Sequence, residues 1–278
     1  MATERISSLI EVDALGVYTA RLGTLSVKAY FRPVFQVDGA ELRMAALMGE
    51  ARVQLGRGCS NAAAFHDDVR EIGKAAGIGR ALVALNRGNT GVGGLALIVP
   101  AGSQDEIEDG LLAHALRARD ELALFNEFEP ARPICELPSP EIADLADIGR
   151  YAAACRRLGA GVSLGRFNGS PAAIEAVRAV CPEIVSLDMS WFNRVTASGQ
   201  ASKLLKPLFR SLRAAGARVH AGGLTSSAQV AAACDAGADL YCGRVLATSL
   251  PAGAFLKPSS VPLSAHTGGR HNVVQLFA

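Results

Sequence analysis

Strand-like runs at Pro133–Leu137, Gly161–Phe167, Glu183–Met189, Arg218–Gly222 and Leu240–Gly243 alternate with helical patterns through the second half of the chain. This alternation constrains the fold more than any other feature, because parallel strands cannot be joined by tight turns and need a crossover, usually a helix. Ser139-Pro140 is expected to cap a helix carrying Ile142, Leu145, Ile148 and Ala152 at spacings of three and four. Ser170-Pro171 opens the next, since the N–H that proline lacks has no partner in a first turn. Ser202–Ala215 reads as a helix kinked at Pro207, and a further helix capped by Ser226 or Ser227 ends at Gly237.

The first half is less regular. Ala29–Val37 and Glu41–Val53 are strand-like and flank Asp38-Gly39, a strong hairpin signal, so this pair should be antiparallel. Phe65–Ala76 and Asp105–Asn126 read as helices, and Arg80–Asn86 and Gly94–Pro100 as strands. The sum is roughly eight strands and as many helices in about 250 residues, the size of a (β/α)8 barrel. An open doubly wound sheet is the alternative, but no glycine-rich phosphate loop follows a strand in the required context. The expected division is an N-terminal segment over 1–28, a barrel over 29–255 and a flexible tail over 256–278, in which Val273–Phe277 could dock as a short strand.

Half of the 278 residues are hydrophobic and the net charge is +2, so bulk electrostatics point neither to nucleic acid nor to an acidic membrane. The apolar runs are short and broken by charge, unlike a membrane span, and the start is unlike a secretory signal; a cytoplasmic location is expected. The six cysteines are scattered with no C-x-x-C spacing, which reads as reduced thiols and neither a disulfide set nor a zinc site.

Several runs in these elements fall in a familiar order. Ala29-Tyr30-Phe31-Arg32-Pro33-Val34-Phe35, Asp38-Gly39 and Ala45-Ala46-Leu47 are followed by Ile134-Cys135-Glu136-Leu137, similar to E-I-T-E. Leu164-Gly165-Arg166-Phe167-Asn168-Gly169 resembles L-D-D-F-G-T, and Val185-Ser186-Leu187-Asp188-Met189-Ser190-Trp191-Phe192 resembles V-K-I-D-x-S-F. Val219-His220-Ala221-Gly222-Gly223-Leu224-Thr225 resembles V-A-E-G-V-E, and Tyr241-Cys242-Gly243-Arg244 with Leu250-Pro251 resembles V-Q-G-Y and P-L-P. In this order over residues 29–255 the runs resemble the EAL domain, the bacterial cyclic di-GMP phosphodiesterase family. The resemblance implies a (β/α)8 barrel whose first strand runs antiparallel.

It also implies where the family's functional groups fall. The motif glutamate maps to Ala45, the phosphate-gripping arginine to Gly49, and a metal-binding asparagine near Ile98. The two aspartates map to Gly165 and Arg166, the lysine to Ser186, the later glutamates to Gly222 and Thr225, and the glutamine to Cys242. Glu136 sits at a retained ligand position, with Asp188 as a retained neighbour. Divalent cations need several converging oxygen donors, so the replacements at Ala45, Gly49, Gly165, Arg166, Ser186, Gly222 and Cys242 lead to an expectation of no metal, no cofactor, no catalytic residue and no enzyme activity.

Glu136, Arg166 and Asp188 are the candidate ligand-binding residues. Arg166 is expected to pair with Glu136 across the barrel mouth or to lie in solvent, and Asp188 to brace the rim by hydrogen bonding. His220 and Cys242 could form a soft-metal pair, against the plainer reading of Cys242 as an apolar filler. Gly165 and Gly222-Gly223 are expected to leave the mouth wide and shallow. The expected function is a degenerate EAL-like regulatory module in bacterial signalling that binds a protein partner, with a homodimer possible and cyclic di-GMP an improbable ligand. A non-hydrolysing cyclic di-GMP receptor is the alternative, and an acid–base enzyme using Glu136 and Asp188 a distant third.

Overall fold

The computed structural model describes residues 9–55 (24 excepted), 77–100, 113, 115–116 and 133–267 (142, 258 and 259 excepted). Eight strands close a barrel in the order β3-β10-β9-β8-β7-β6-β5-β4, with β3 also paired to β4. They are β3 (Leu25–Asp38), β4 (Glu41–Leu55), β5 (Ala96–Pro100), β6 (Pro133–Leu137), β7 (Gly161–Phe167), β8 (Ile184–Leu187), β9 (Arg218–Ala221) and β10 (Leu240–Tyr241). From β4 round to β10 every neighbour is parallel, whereas β3 runs antiparallel to both β10 and β4. The Asp38-Gly39 turn is therefore a hairpin as expected, with Asp38 opposite Glu41 and Gly39 at φ +62°.

The hairpin is longer than the sequence suggests. Its register runs from Asp38↔Glu41 to Leu25↔Leu55, broken by one bulge that leaves Ala45 unpaired between Met44 and Ala46. Because Ala46 lies beside Ala96 in parallel register, the stretch after Glu50 passes beyond the C-terminal end of β5. That outer half carries two added strands, β1 (Ile10–Val12) and β2 (Tyr18–Leu22), and β11 (Leu250–Pro251). Ile10–Val12 and Tyr18–Leu22 thus supply sheet continuous with the barrel. After Phe255 the chain returns as β12 (Val261–Pro262), which pairs with Glu41 and Leu42; Val273–Phe277 lies outside the described residues.

Residues 77–85 form a helix, α1, where a strand was expected over Arg80–Asn86. The run's apolar residues Ile78, Ala81, Leu82 and Val83 are all buried, a spacing that suits one helical face against the outer hairpin. Contact there is too close for a side chain on either side: a Cβ on Gly49 would lie 2.1 Å from Val83 Cγ1, and one on Gly79 2.3 Å from Ala51 Cβ. The helix expected over Phe65–Ala76 lies outside the described residues, as does most of Asp105–Asn126, of which Ala113, Ala115 and Leu116 are helical and buried.

The remaining helices are α2 (Leu145–Arg157), α3 (Pro171–Val180), α4 (Met189–Ala197), α5 (Leu205–Ala214) and α6 (Ser227–Ala236). Asp144, and not Ser139, caps α2 by accepting from Asp147 N at 2.7 Å. Ser170 caps α3 with Pro171 next to it, and Ser226 with Gln229 forms a capping box on α6, which ends at Gly237 in the left-handed region. Pro207 does not kink a helix; a short 3-10 turn (Ala201–Leu204) precedes α5, and Pro207 falls in its first turn, where no hydrogen bond is lost.

Two layers of apolar side chains result. One fills the space between strands and helices. The other lies inside the barrel, where Val34, Ala46, Ile98, Ile134, Ile184, Leu240 and Cys242 come from six different strands and from the residue just after β10. This inner layer seals the barrel below its C-terminal mouth, the end at which barrels of this kind place their chemistry.

Candidate functional site at the barrel mouth

Side chains alternate along each strand, so the residues that share the inward parity with the sealing layer are Arg32, Glu50, Glu136, Ser163, Gly165, Ser186, His220 and Cys242. Two polar groups emerge from them. In the first, Arg32 Nη2 lies 2.8 Å from Glu50 Oε1, and Arg32 donates through Nε and Nη2 to Ser249 Oγ at 3.0 and 2.8 Å. Ser249 in turn donates to Glu50 Oε2 at 3.1 Å. In the second, Glu136 is hydrogen-bonded to Ser186, whose Oγ lies 3.0 Å from His220 Nδ1 and 3.5 Å from Ser163 Oγ.

Burial governs the charges here. It pushes the Glu136 carboxyl above the usual carboxylate range, opposed by the Ser186 hydrogen bond. It lowers His220 to about 4, with the Arg218 guanidinium adding to the effect, so the imidazole is neutral at physiological pH. Cys242 is pushed up to about 12, first by burial; Arg32, which lowers it, and Glu50 and Glu136, which raise it, all act on its thiol. A buried, protonated thiol in the apolar layer is a filler, as its plainer reading held.

The sequence candidates do not form one cluster. Arg166 does not pair with Glu136: its side chain is 67% exposed, and its Nε lies 3.6 Å from Asp188 Oδ2. Asp188 caps α4 by accepting from Trp191 N at 2.8 Å, the bracing role expected of it. Among the described residues no hydrogen bond or ion pair joins Glu136 to Asp188, so the geometry offers no acid–base pair of these two. Nor do the glycines simply widen the mouth. A Cβ on Gly165 would meet Leu137 O at 3.1 Å and Glu136 Cγ at 3.3 Å, and one on Gly222 would meet the His220 ring at 3.0 Å. The room left by each is already used by a neighbour.

Gly49 faces α1 and not the barrel interior, so the mouth-facing side chain of this strand is Glu50. Arg32, Glu50 and Ser249 are not among the candidate residues that the sequence offers. The signal for Arg32 and Glu50 was the parity of the hairpin, shifted by the bulge at Ala45; Ser249 carried none.

Divalent cations of the kind implied by the resemblance do not fit this donor set. Among the described residues Glu136 is the one carboxylate turned into the interior without a cationic partner, Glu50 is engaged by Arg32 and Ser249, and the other polar atoms of the two groups are hydroxyls and an imidazole. Among the described residues no group of three or more His, Cys, Asp or Glu side chains is arranged to hold a metal ion.

A closed barrel of eight strands with one antiparallel member, and a mouth lined by these strand ends, defines the class: TIM-barrel-like proteins of the EAL type. The model of the EAL-domain family matches residues 112–249, about half of the chain. The chain is similar to solved structures at low identity. One is a standalone EAL protein from Vibrio cholerae O395 in its c-di-GMP-bound form, with a TM-score of 0.62 at 16% identity over 86% of this chain and 98% of that one. The FimX EAL domain of Xanthomonas citri in complex with c-diGMP gives 0.59 at 15% identity over 83% and 90%. The PaMucR phosphodiesterase in a c-di-GMP complex gives 0.59 at 14% over 81% and 92%. A search of curated proteins found no match.

These findings correct two expectations. The reading of the chain as no enzyme is set aside, because the EAL-domain model matches residues 112–249 and a structural neighbour is itself named a phosphodiesterase. The reading of cyclic di-GMP as an improbable ligand is likewise overturned by neighbours solved as complexes with that nucleotide. No helix among the described residues is long and apolar enough to cross a membrane.

Proposed function

We propose that this EAL domain binds cyclic di-GMP at the C-terminal mouth of its barrel, as a component of cyclic di-GMP signalling. The observation that carries the reading is the pairing of a sealed apolar floor with guanidinium groups above it. Arg32 stands on the wall, and Arg166 on the rim with most of its side chain in solvent and only a long, exposed contact to Asp188. Planar guanidinium forks suit phosphodiester oxygens, and an exposed ion pair is weak enough to exchange for one. Contacts from these side chains, and not a bridging cation, provide the affinity.

The test is calorimetric titration of the purified chain with cyclic di-GMP, with and without Mn²⁺, while the same samples are followed by chromatography for the linear dinucleotide. Saturable heat of equal affinity in both conditions is expected. No heat at high micromolar nucleotide overturns the reading, and affinity that appears only with Mn²⁺ overturns the assignment of the contacts to side chains.

A further inference from the structure

The β3–β4 hairpin carries its inward face past the barrel. Val34 and Ala46 sit in the sealing layer with Met48 packed against it. Beyond them the same face presents Arg32, Glu50, Tyr30, Arg52 and Lys28, since Tyr30 is registered opposite Glu50 and Lys28 opposite Arg52. The other face is taken: Val27, Ala29 and Phe31 are buried, and Gly49 and Ala51 lie against Val83 and Gly79 of α1. The hairpin is therefore a wall above the mouth with an apolar back and a polar front. Exposure on the front rises with distance from the barrel, from 21% for the Arg32 side chain through 30% for Glu50 to 45% for Arg52. Its charged residues are three cations, Lys28, Arg32 and Arg52, and one carboxylate, Glu50. That carboxylate is shared: Oε1 lies 2.8 Å from Arg32 Nη2, and Oε2 lies 3.5 Å from Arg52 Nη2.

Arg52 is placed for a further partner. Its Cζ stands 4.1 Å from the centre of the Tyr30 ring, so the ring backs one side of the guanidinium while much of the side chain stays exposed on the front of the wall. A planar cation backed by an aromatic ring is a stacking surface, and nucleobases stack on guanidinium planes as they do on aromatic rings. The neighbours give the direction of approach. One carboxylate separates Arg52 from Arg32, the wall residue assigned to phosphodiester oxygens, and in a nucleotide one ribose separates the base from its phosphate. Glu50 is engaged by both guanidiniums and by Ser249, so the surface reads the face of a base and not its edge. We infer that Arg52, backed by Tyr30, is a stacking platform for a guanine base of cyclic di-GMP, with the adjoining phosphate on Arg32. The inference rests on the proposal that the mouth binds this nucleotide, and Arg52 lies outside every run by which the chain resembles the EAL domain.

¹H–¹⁵N spectra of the arginine Nε–Hε groups, recorded on the whole chain during a cyclic di-GMP titration, test it together with dissociation constants for wild type, Arg52→Lys and Lys28→Ala at low and at raised salt. The Arg52 signal, identified by its cross-peaks to the Tyr30 ring, should move upfield with saturation, because a base over the guanidinium plane shields it. This shift is read on the wild type and needs no variant to fold. Arg52→Lys keeps the charge and loses the plane, and should weaken binding about tenfold at both salt concentrations. Lys28→Ala removes a charge alone, and its smaller loss should fade as salt rises. Wild-type binding with an unmoved or downfield-shifted Arg52 signal, or with Arg52→Lys at wild-type affinity, overturns the inference and leaves the proposed function standing. So does an Arg52→Lys loss that disappears at raised salt, which would make Arg52 a point charge and no platform. No wild-type binding overturns the proposed function and the inference with it.

Discussion

Arg32 Nη2 and Glu50 Oε1 stand 2.8 Å apart on adjacent strands of the β3–β4 hairpin, and Ser249 bonds both side chains from the segment that follows β10. The contact is diagonal, since Glu50 is registered opposite Tyr30 and Arg32 opposite Met48. It ties the antiparallel start of the barrel to its last strand at the level of the mouth. With side chains only 21% and 30% exposed, the pair is shielded from water and salt in a way that the open Arg21–Glu11 pair, at 75% and 61%, is not. Glu50→Ala strands a guanidinium and a hydroxyl, and its expected cost is about 1–3 kcal/mol. Glu11→Ala should cost well under 1 kcal/mol. Urea denaturation midpoints of the two variants check this; equal effects would mean that the Ser249 bridge adds nothing.

Gly243 supports a second prediction. A Cβ there would lie 2.0 Å from Leu224 O and 2.3 Å from Leu224 N, both backbone atoms that cannot swing aside. The close approach lets Leu224 N reach Cys242 O at 3.0 Å and Val245 N reach Leu224 O at 3.3 Å, which locks the loops after β9 and β10 together. Gly243→Ala is expected to cost more than about 3 kcal/mol and to abolish soluble expression or cooperative melting. Gly199→Ala, with nothing within 4 Å of the added methyl, serves as the comparison and should melt within a few degrees of wild type.

Gly243 is also where the sequence was most legible. Backbone approach permits one residue type, so the position survives in a recognisable motif, as do the turn at Asp38-Gly39 and the caps at Ser170 and Ser226. The alternation of short apolar runs with helical segments located every strand from β6 to β10. It failed at Arg80–Asn86, where a short apolar run has the same composition in a buried strand and in α1 and only the tertiary neighbour decides between them. The site was harder still. A one-residue bulge at Ala45 changed which residue of β4 faces inward, and Arg166 was matched to Glu136 by strand neighbourhood when its backbone turns it outward to Asp188. His220 stood in the sequence as half of a soft-metal pair; in the folded chain its ring is buried and its Nδ1 is held by Ser186 at 3.0 Å.

Arg166 sits at φ +52°, in the left-handed region that favours glycine, and it is one of two non-glycine residues there among those described. Its contact with Asp188 is long and exposed, so it returns little of that strain. Arg166→Gly is therefore expected to raise stability by about 0.5–1 kcal/mol, while it removes a rim guanidinium and weakens cyclic di-GMP binding. Thermal melting and calorimetry on the same preparation read the two effects separately. A fall in stability would show that the Asp188 contact outweighs the backbone cost.

The last prediction concerns acid. His220 has its pKa lowered from 6.5 to about 4 in the folded chain, chiefly by burial and then by Arg218. The unfolded chain binds a proton below about 6.5 that the folded chain refuses until about 4, so the unfolded state gains protons across this interval. Stability from this group is complete above pH 6.5, declines as the pH falls, and has been lost by pH 4, a change of about 3 kcal/mol. Glu136 acts with the opposite sign: its raised pKa favours the folded state in acid and loses that contribution as the pH rises. Comparing wild type with His220→Gln cancels Glu136 and the surface carboxylates to first order, although Ser186 links the two groups and couples them in part. Urea unfolding free energies at pH 7, 6, 5 and 4.5 should show wild type losing stability faster than the variant, with the gap opening below pH 6.5. Parallel curves would mean that the imidazole is protonated in the folded barrel.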